Sequence, residues 1–255
     1  MKISTKLFFW FLIVTFVPVF IVGIIVVIFA QNQFTERIAD DLATIADVQE
    51  QRLNNVIELY MDTHKIVSAD QRLTEYTYLA TLEEAEASDV ERLKDILLEL
   101  HRSVGISRAM SIIDGDGTVI ASTSPANVGK KRADIESGKG RVQSIASSVQ
   151  PDRTGSVTVR TIGPIHFNGE FAGVLEIVPI AEPITAIATN FTGLGETGET
   201  LLAQRTESGD ALFLTPTRFA PSAAMNRTVS RLAFDVPITS ALPPPQRVLI
   251  AQTLP

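Results

Sequence analysis

The chain has 255 residues, of which 45% are hydrophobic, enough for one or two domains with hydrophobic cores. Its net charge is −7, and because an acidic protein repels phosphate groups, this argues against nucleic-acid binding. It has no cysteine, which excludes structural disulfides and cysteine-ligated zinc.

A long apolar segment lies close to the amino terminus. Residues Leu7 to Ala30 contain no charged side chain, and a helix of this length spans roughly 36 Å, more than the ~30 Å hydrocarbon core of a bilayer. A cleaved signal peptide has a shorter apolar region that ends at small residues, and Phe29-Ala30-Gln31 does not fit such a cleavage site. We therefore predict an uncleaved transmembrane helix at residues 7–30.

The charges that flank this segment predict its orientation. Lys2 and Lys6 precede it, and basic residues next to a membrane helix favour the cytoplasmic side. We expect residues 1–6 to be a cytoplasmic tail and residues 31–255 to be extracytoplasmic, in a single-pass protein of the cell (inner) membrane.

A helical stalk is predicted over residues 31–104. Its first helix covers residues 34–65, which contain neither glycine nor proline. Apolar residues recur there mostly three or four positions apart, at Phe34, Ile38, Leu42, Ile45, Val48, Leu53, Val56 and Tyr60. This stripe fits packing on the chain's own domain, a homodimer seam between two stalks, or both.

Two further helices complete the stalk. One is predicted over residues 69–84. The other begins with Ser88 as its N-cap and Glu91 three residues later, the spacing of a capping box.

Three β-hairpins are predicted after Gly105, because β-rich runs flank turns that contain glycine. The paired runs are residues 106–113 with 118–123, residues 155–162 with 170–178, and residues 199–206 with 211–215. Residues 124–154 are predicted to be loop, and residues 181–192 to be helical.

Two motifs suggest binding sites that their surroundings argue against. Gly193 to Gly198 matches the dinucleotide fingerprint G-x-G-x-x-G, but a helix is predicted before it and a strand after it, the reverse of the required order. A calcium loop that starts at Asp114 would need oxygen ligands where Thr118 and Pro125 stand, so we interpret this segment as a turn.

No arrangement of residues indicates catalysis, a metal site or a cofactor. His64, His101 and His166 lie too far apart for metal-ligand spacing. The chain has neither a cysteine nucleophile nor a G-x-S-x-G elbow. We therefore predict that the chain is not itself an enzyme.

Two stretches, residues 111–123 and 192–216, make the chain resemble the double-Cache extracytoplasmic sensors of bacterial signalling receptors, most of all those of sensor histidine kinases. The resemblance implies an α+β fold in which PAS-like five-stranded antiparallel sheets are strung on a long helix. It places a membrane-distal lobe at residues 105–191. Residues 192–255 would then be an incomplete membrane-proximal lobe with an irregular tail around Pro243-Pro244-Pro245, as in a fragment or truncated product.

The resemblance also implies a function. We expect the ligand-sensing input module of a membrane receptor whose parent is a histidine kinase; the alternatives are the input domain of a chemoreceptor or diguanylate cyclase, or a tethered scaffold that senses nothing. Family members that bind amino acids carry Tyr and Trp in the distal lobe, and residues 105–190 contain neither. An amino-acid ligand is therefore not expected.

Arg160 is the candidate ligand-binding residue. If Asn168-Gly169 is a two-residue turn, Arg160 lies opposite Ile177 among apolar neighbours, where an unpaired guanidinium group is costly. Either a carboxylate of the same chain pairs with Arg160, or Arg160 binds a small organic anion through bidentate hydrogen bonds. In the second case Ser122 adds a contact and residues 124–154 form the lid.

Overall fold

The computed structural model describes residues 3–82, 84–132, 139–146, 150–151, 157–196, 198–206, 208–230 and 249–253. The tail around Pro243-Pro244-Pro245 and much of the predicted lid lie outside these residues. The chain divides into two compact units, residues 1–47 and 48–255.

Helix α1, Ile3–Ser68, is a single helix of 66 residues. The predicted membrane helix and the predicted stalk helix are therefore parts of one continuous element. Its segment Trp10–Gln31 is long and apolar enough to cross a membrane. The large apolar side chains that the structure describes in this segment are exposed, as expected for a surface that faces lipid rather than a protein core.

Helices α2, Gln71–Ala80, and α3, Ala87–Val104, follow α1. The N-cap of α2 is Asp70, whose carboxylate accepts a hydrogen bond from the backbone N–H of Leu73 at 3.0 Å. Helix α2 ends at Ala80, so the helix predicted over residues 69–84 was four residues too long at its carboxyl end.

The capping box of α3 exists, but the predicted residues are wrong. The N-cap is Glu86, whose backbone is extended, and its partner is Asp89 rather than Glu91. The Asp89 carboxylate accepts a hydrogen bond from the backbone N–H of Glu86 at 3.3 Å. The helix begins at Ala87, one residue before the predicted cap, so Ser88 lies inside the first turn. The Ser88 hydroxyl donates to the Glu86 carboxylate at 3.1 Å.

A five-stranded antiparallel sheet follows the helices, with strand order β2-β1-β7-β6-β3. Its strands are β1 (Ser107–Ile113), β2 (Val119–Ser122), β3 (Ile145–Ala146), β6 (Thr161–Phe167) and β7 (Glu170–Pro179). Between β2 and β6 the chain also forms a 3-10 turn at Pro125–Asn127 and the short helix α4 (Lys139–Val142). In the same segment β4 (Gln150–Pro151) pairs with β5 (Val157–Thr158) in a separate two-stranded ladder. The α+β class and the first two predicted hairpins are confirmed, although β6 begins at Thr161, six residues after the predicted start.

One face of this sheet packs on α2 and α3. Alternate strand residues such as Met110, Ile112, Leu175 and Ile177 contribute to this core. The helices contribute Leu73, Leu93, Ile96 and Leu97, and the end of α1 contributes Val67. Because side chains alternate along a strand, the intervening residues of β1 and β7 point to the opposite face.

A second antiparallel sheet follows helix α5 (Glu182–Ala188), with strand order β10-β9-β8-β11. Its strands are β8 (Glu199–Arg205), β9 (Ala211–Phe213), β10 (Thr228–Val229) and β11 (Leu249–Thr253), with a 3-10 turn at Pro221–Ala223. The predicted third hairpin is confirmed as β8–β9.

The predicted apolar stripe of the stalk divides between two environments. Leu53 and Tyr60 are buried against α5 and β8, with Val56 partly buried beside them, so this part of the stripe packs on the chain's own domain. On another face of α1, Val48, Leu59 and Ile66 are exposed. The side chains of Phe34 and Ile38 lie outside the described part of the chain.

Candidate ligand site

A row of polar residues crosses the five-stranded sheet on the face opposite α2 and α3. Ser122 on β2 pairs with Ser111 on β1, and Ser111 pairs in turn with Glu176 on β7. Residues directly opposite each other in an antiparallel sheet project from the same face, so the three side chains share one surface. All three are buried.

The register of the second hairpin differs from the predicted one. Phe167 pairs with Glu170 as expected, but a β-bulge follows, and Ile165 pairs with Gly173. The additional residue, Ala172, shifts every later pair by one position, so Thr161 rather than Arg160 lies opposite Ile177.

This shift changes the surroundings of Arg160. Because a slip of one residue moves a side chain to the other face of the sheet, Arg160 is not among Leu175 and Ile177 as predicted. It lies on the face of Glu176, and its Nη1 atom donates to Oε1 of Glu176 at 2.8 Å. The structure thus gives Arg160 a carboxylate partner in its own chain, which is the first of the two interpretations that the sequence left open.

A second arginine meets the same carboxylate. Nη2 of Arg132 lies 3.1 Å from Oε2 of Glu176, so two guanidinium groups converge on one carboxylate. The Glu176 side chain is 0% exposed, that of Arg160 is 11% exposed and that of Arg132 is 23% exposed. The cluster is therefore shielded from solvent at Glu176 and accessible to solvent on the side of Arg132.

The main chain holds Arg132 above the sheet. Its backbone N–H donates to the carbonyl of Gly117 at 2.8 Å, and the preceding residue, Lys131, bridges to Thr118. Its Nε atom is buried and has no hydrogen-bond partner among the described residues. A donor that is buried without an acceptor is costly, so this edge of the guanidinium group is available to an anion.

Ser122 is already engaged within the sheet. Its hydroxyl lies 2.9 Å from that of Ser111, donates to the carbonyl of Met110 at 3.1 Å and accepts from the N–H of Ser124 at 3.1 Å. These bonds fix the end of β2. A ligand contact by Ser122, as predicted from sequence, would have to compete with them.

Sequence reasoning missed Glu176 and Arg132. Glu176 had a signal, since it is the one charged residue in the apolar run from Phe171 to Val178. Arg132 had none, because it lies in a polar segment where one basic residue among several does not stand out.

The motifs set aside in the sequence have structural roles. Asp114 forms a turn in which its carboxylate accepts from the N–H groups of Asp116 and Thr118, at 2.8 and 2.9 Å. In the loop from Gly193 to Gly198, Arg218 donates to the carbonyls of Gly195 and Gly198, at 2.9 and 3.4 Å. These carbonyls face a cation, whereas a phosphate-binding loop presents N–H groups. No group of residues that could hold a metal ion occurs in the described ranges.

Comparison with known proteins identifies the fold. No protein-family model and no curated protein sequence matches the chain. Among solved structures, the sensor domain of the V. cholerae histidine kinase DctB matches with a TM-score of 0.52 and 14% identity, over 65% of this chain and 62% of that one. The chain thus spans less than two thirds of that relative.

A chemoreceptor domain has a comparable match. The ligand-binding domain of Pseudomonas fluorescens CtaA, solved with L-valine and with L-serine, gives a TM-score of 0.50 and 12% identity in each case. It covers 75% of this chain, and the matches span 79% and 76% of the two CtaA structures. These structural neighbours are sensor and ligand-binding domains of a histidine kinase and a chemoreceptor, and the chain shares their fold.

Proposed function

We propose that the chain is the ligand-sensing input module of a membrane signal-transduction receptor, most like that of a sensor histidine kinase. The Cache-like sensor fold supports this proposal, together with the apolar segment Trp10–Gln31 of α1. The observation that carries it is the buried cluster of Arg132, Glu176 and Arg160 on the sheet face opposite α2 and α3. Any catalytic step would belong to an output domain of the parent protein.

The ligand of this module is a small organic anion. Guanidinium groups bind carboxylates through paired, charge-assisted hydrogen bonds, and Arg132 has a buried Nε donor without an acceptor among the described residues. Arg160, with Ser122 as a secondary contact, forms the floor of the site, and Arg132 its open side.

The test is thermal-shift and calorimetric screening of organic acids against the full chain in detergent micelles. One acid should raise the melting temperature in a concentration-dependent way, since a ligand that binds only the folded state stabilises it. Arg132→Ala and Arg160→Ala should each weaken that binding at least tenfold. Arg92→Ala, which alters an exposed arginine of α3, is the matched control and should bind like the wild type.

Two outcomes would contradict the proposal. If no acid in a broad panel binds, the module does not sense organic anions, and the scaffold interpretation is favoured. If an acid binds and both arginine variants bind it as well as the wild type, the cluster is structural and the site lies elsewhere.

The module acts at the cell (inner) membrane as a homodimer. Its amino terminus is cytoplasmic, because Lys2 and Lys6 flank the apolar segment on that side. The exposed apolar face of α1 formed by Val48, Leu59 and Ile66 supports association of two stalks, since these positions are 11 and 7 residues apart and fall on one side of a helix. Chemoreceptor input is the alternative, and it would differ in the output domain alone.

A further inference from the structure

His64 is a buried histidine that the ligand site does not use. It lies on α1, one turn before the helix ends at Ser68, and its side chain is 0% exposed. Neither ring nitrogen has a hydrogen-bond partner among the described residues. Buried histidines usually donate at least one hydrogen bond, so this environment suits only the neutral ring.

The ring fits against a glycine of the sheet. A Cβ atom placed on Gly163 of β6 would lie 2.5 Å from Nε2 of His64 and closer still to the hydroxyl oxygen of Ser144. No side chain fits at this position, so α1, β6 and the residue that precedes β3 meet around the imidazole. The ring cannot turn toward solvent unless α1 and β6 move apart at this point.

The electrostatics of the contact depend on burial alone. Burial lowers the pKa of His64 to about 4, and no charged residue contributes to the shift. On α1 the titratable neighbour one turn earlier is Tyr60, which is neutral at and below neutral pH; burial raises its pKa further, to about 12. Gly163 and Ser144 carry no charge, and Arg160 and Glu176 lie on the opposite face of the sheet.

We propose that His64 is a proton-binding site that makes the contact between α1 and β6 acid-sensitive, independently of the anion site. The protonated ring would carry a positive charge in a buried contact that holds no charged partner, so protonation favours a state in which α1 has separated from Gly163. Since α1 also contains the apolar segment Trp10–Gln31, a change at this contact occurs on the helix that reaches the membrane. The module then has two inputs, an anion and a proton.

The direction of the pH dependence follows from the lowered pKa of His64. The separated state takes up a proton near pH 6.5 and the closed state only near pH 4, so the closed contact is fully stable above pH 6.5 and weakens as the pH falls toward 4. Over this window the population of the separated state should rise by roughly two orders of magnitude relative to the closed one.

The experiment is hydrogen exchange of the full chain in lipid nanodiscs at pH 7 and pH 4, read by mass spectrometry and corrected for intrinsic exchange rates. Peptides from residues 60–68 and 161–167 should lose about 100-fold in protection at pH 4, whereas a peptide from α3 should not. His64→Gln and His64→Phe, whose side chains do not titrate, should abolish this loss. His101→Gln is the control, because His101 is partly exposed and lies 2.7 Å from the hydroxyl of Ser107.

Two results would overturn the proposal. One is equal protection of the two peptides at pH 7 and pH 4 in the wild type. The other is an acid-induced loss that persists in both His64 variants, which would assign the sensitivity to another group. A variant that fails to fold would show low protection already at pH 7, and the other variant then decides.

Discussion

Arg160, the residue before β6, and Glu176 of the neighbouring strand β7 form a buried ion pair, with Nη1 and Oε1 2.8 Å apart. The pair exists because one additional residue, Ala172, brings Arg160 to the same sheet face as Glu176. Arg132 joins it from the segment that follows β2. Each of these charges can be buried because a group of opposite charge pairs with it.

Glu176→Gln should lower the free energy of unfolding by about 3–5 kcal/mol, because it removes the carboxylate with which both guanidinium groups pair. Denaturant unfolding of the full chain in detergent measures the change. Glu170→Gln, at the exposed start of the same strand, should change it by less than about 0.5 kcal/mol. Equal effects of the two substitutions would show that the buried cluster contributes no stability of its own.

Cysteine crosslinking tests the proposed association of two stalks. Leu59→Cys and Ile66→Cys should form disulfides between chains in membranes, since both positions lie on the exposed apolar face of α1. Glu58→Cys and Lys65→Cys, each one residue away and turned by about 100° around the helix, are the matched controls. The native chain has no cysteine, so no background disulfide forms. Crosslinking of the controls at the same rate would exclude a seam along this face.

Tyr60→Phe should cost about 1 kcal/mol of stability, because the Tyr60 hydroxyl donates to the carbonyl of Ile180 at 2.9 Å. This bond ties α1 to the residue that follows β7. Tyr76→Phe, at a partly buried tyrosine of α2, provides the comparison in the same unfolding measurement. If both variants unfold like the wild type, the bond to Ile180 is energetically neutral.

Membrane orientation can be read from reporter fusions. A reporter joined after Gln31 that is active only when exported should be active, because Lys2 and Lys6 favour a cytoplasmic amino terminus. Replacing both lysines with glutamate should reduce this activity, while the same change at Lys94 and Lys130 should not. Activity confined to a cytoplasmic reporter would reverse the proposed orientation.

Features that depend on local sequence were predicted correctly. The Asp-Gly and Asn-Gly turns marked the first two hairpins, because positive backbone φ angles are needed there and Asn168 and Gly169 adopt them, at 52° and 85°. The apolar run near the amino terminus likewise predicted a long helix. Its fusion with the stalk into one helix was not evident, although no glycine or proline separates the two.

Features that depend on tertiary packing were predicted poorly. The bulge at Ala172 was not predicted, although Gly173 follows it inside β7 and a strand glycine often marks a bulge, so the face of Arg160 was predicted incorrectly. Arg132 contacts Glu176 only because the main chain at Gly117 holds it above the sheet, a relationship between distant residues. The cap of α3 was misplaced because Ser88 is a preferred N-cap residue and Glu86 is not, whereas the helix begins at Ala87 with Glu86 as its N-cap.

The strand order of the five-stranded sheet has a consequence for how it folds. The β6–β7 hairpin closes through two residues, whereas β1 pairs with β7 between residues such as Ile113 and Val174, far apart along the chain. Hairpins of the first kind form in about 1–10 μs, but the second pairing must first close a long loop. The central ladder of the sheet therefore assembles late, and β7 presents an unpaired edge until β1 arrives.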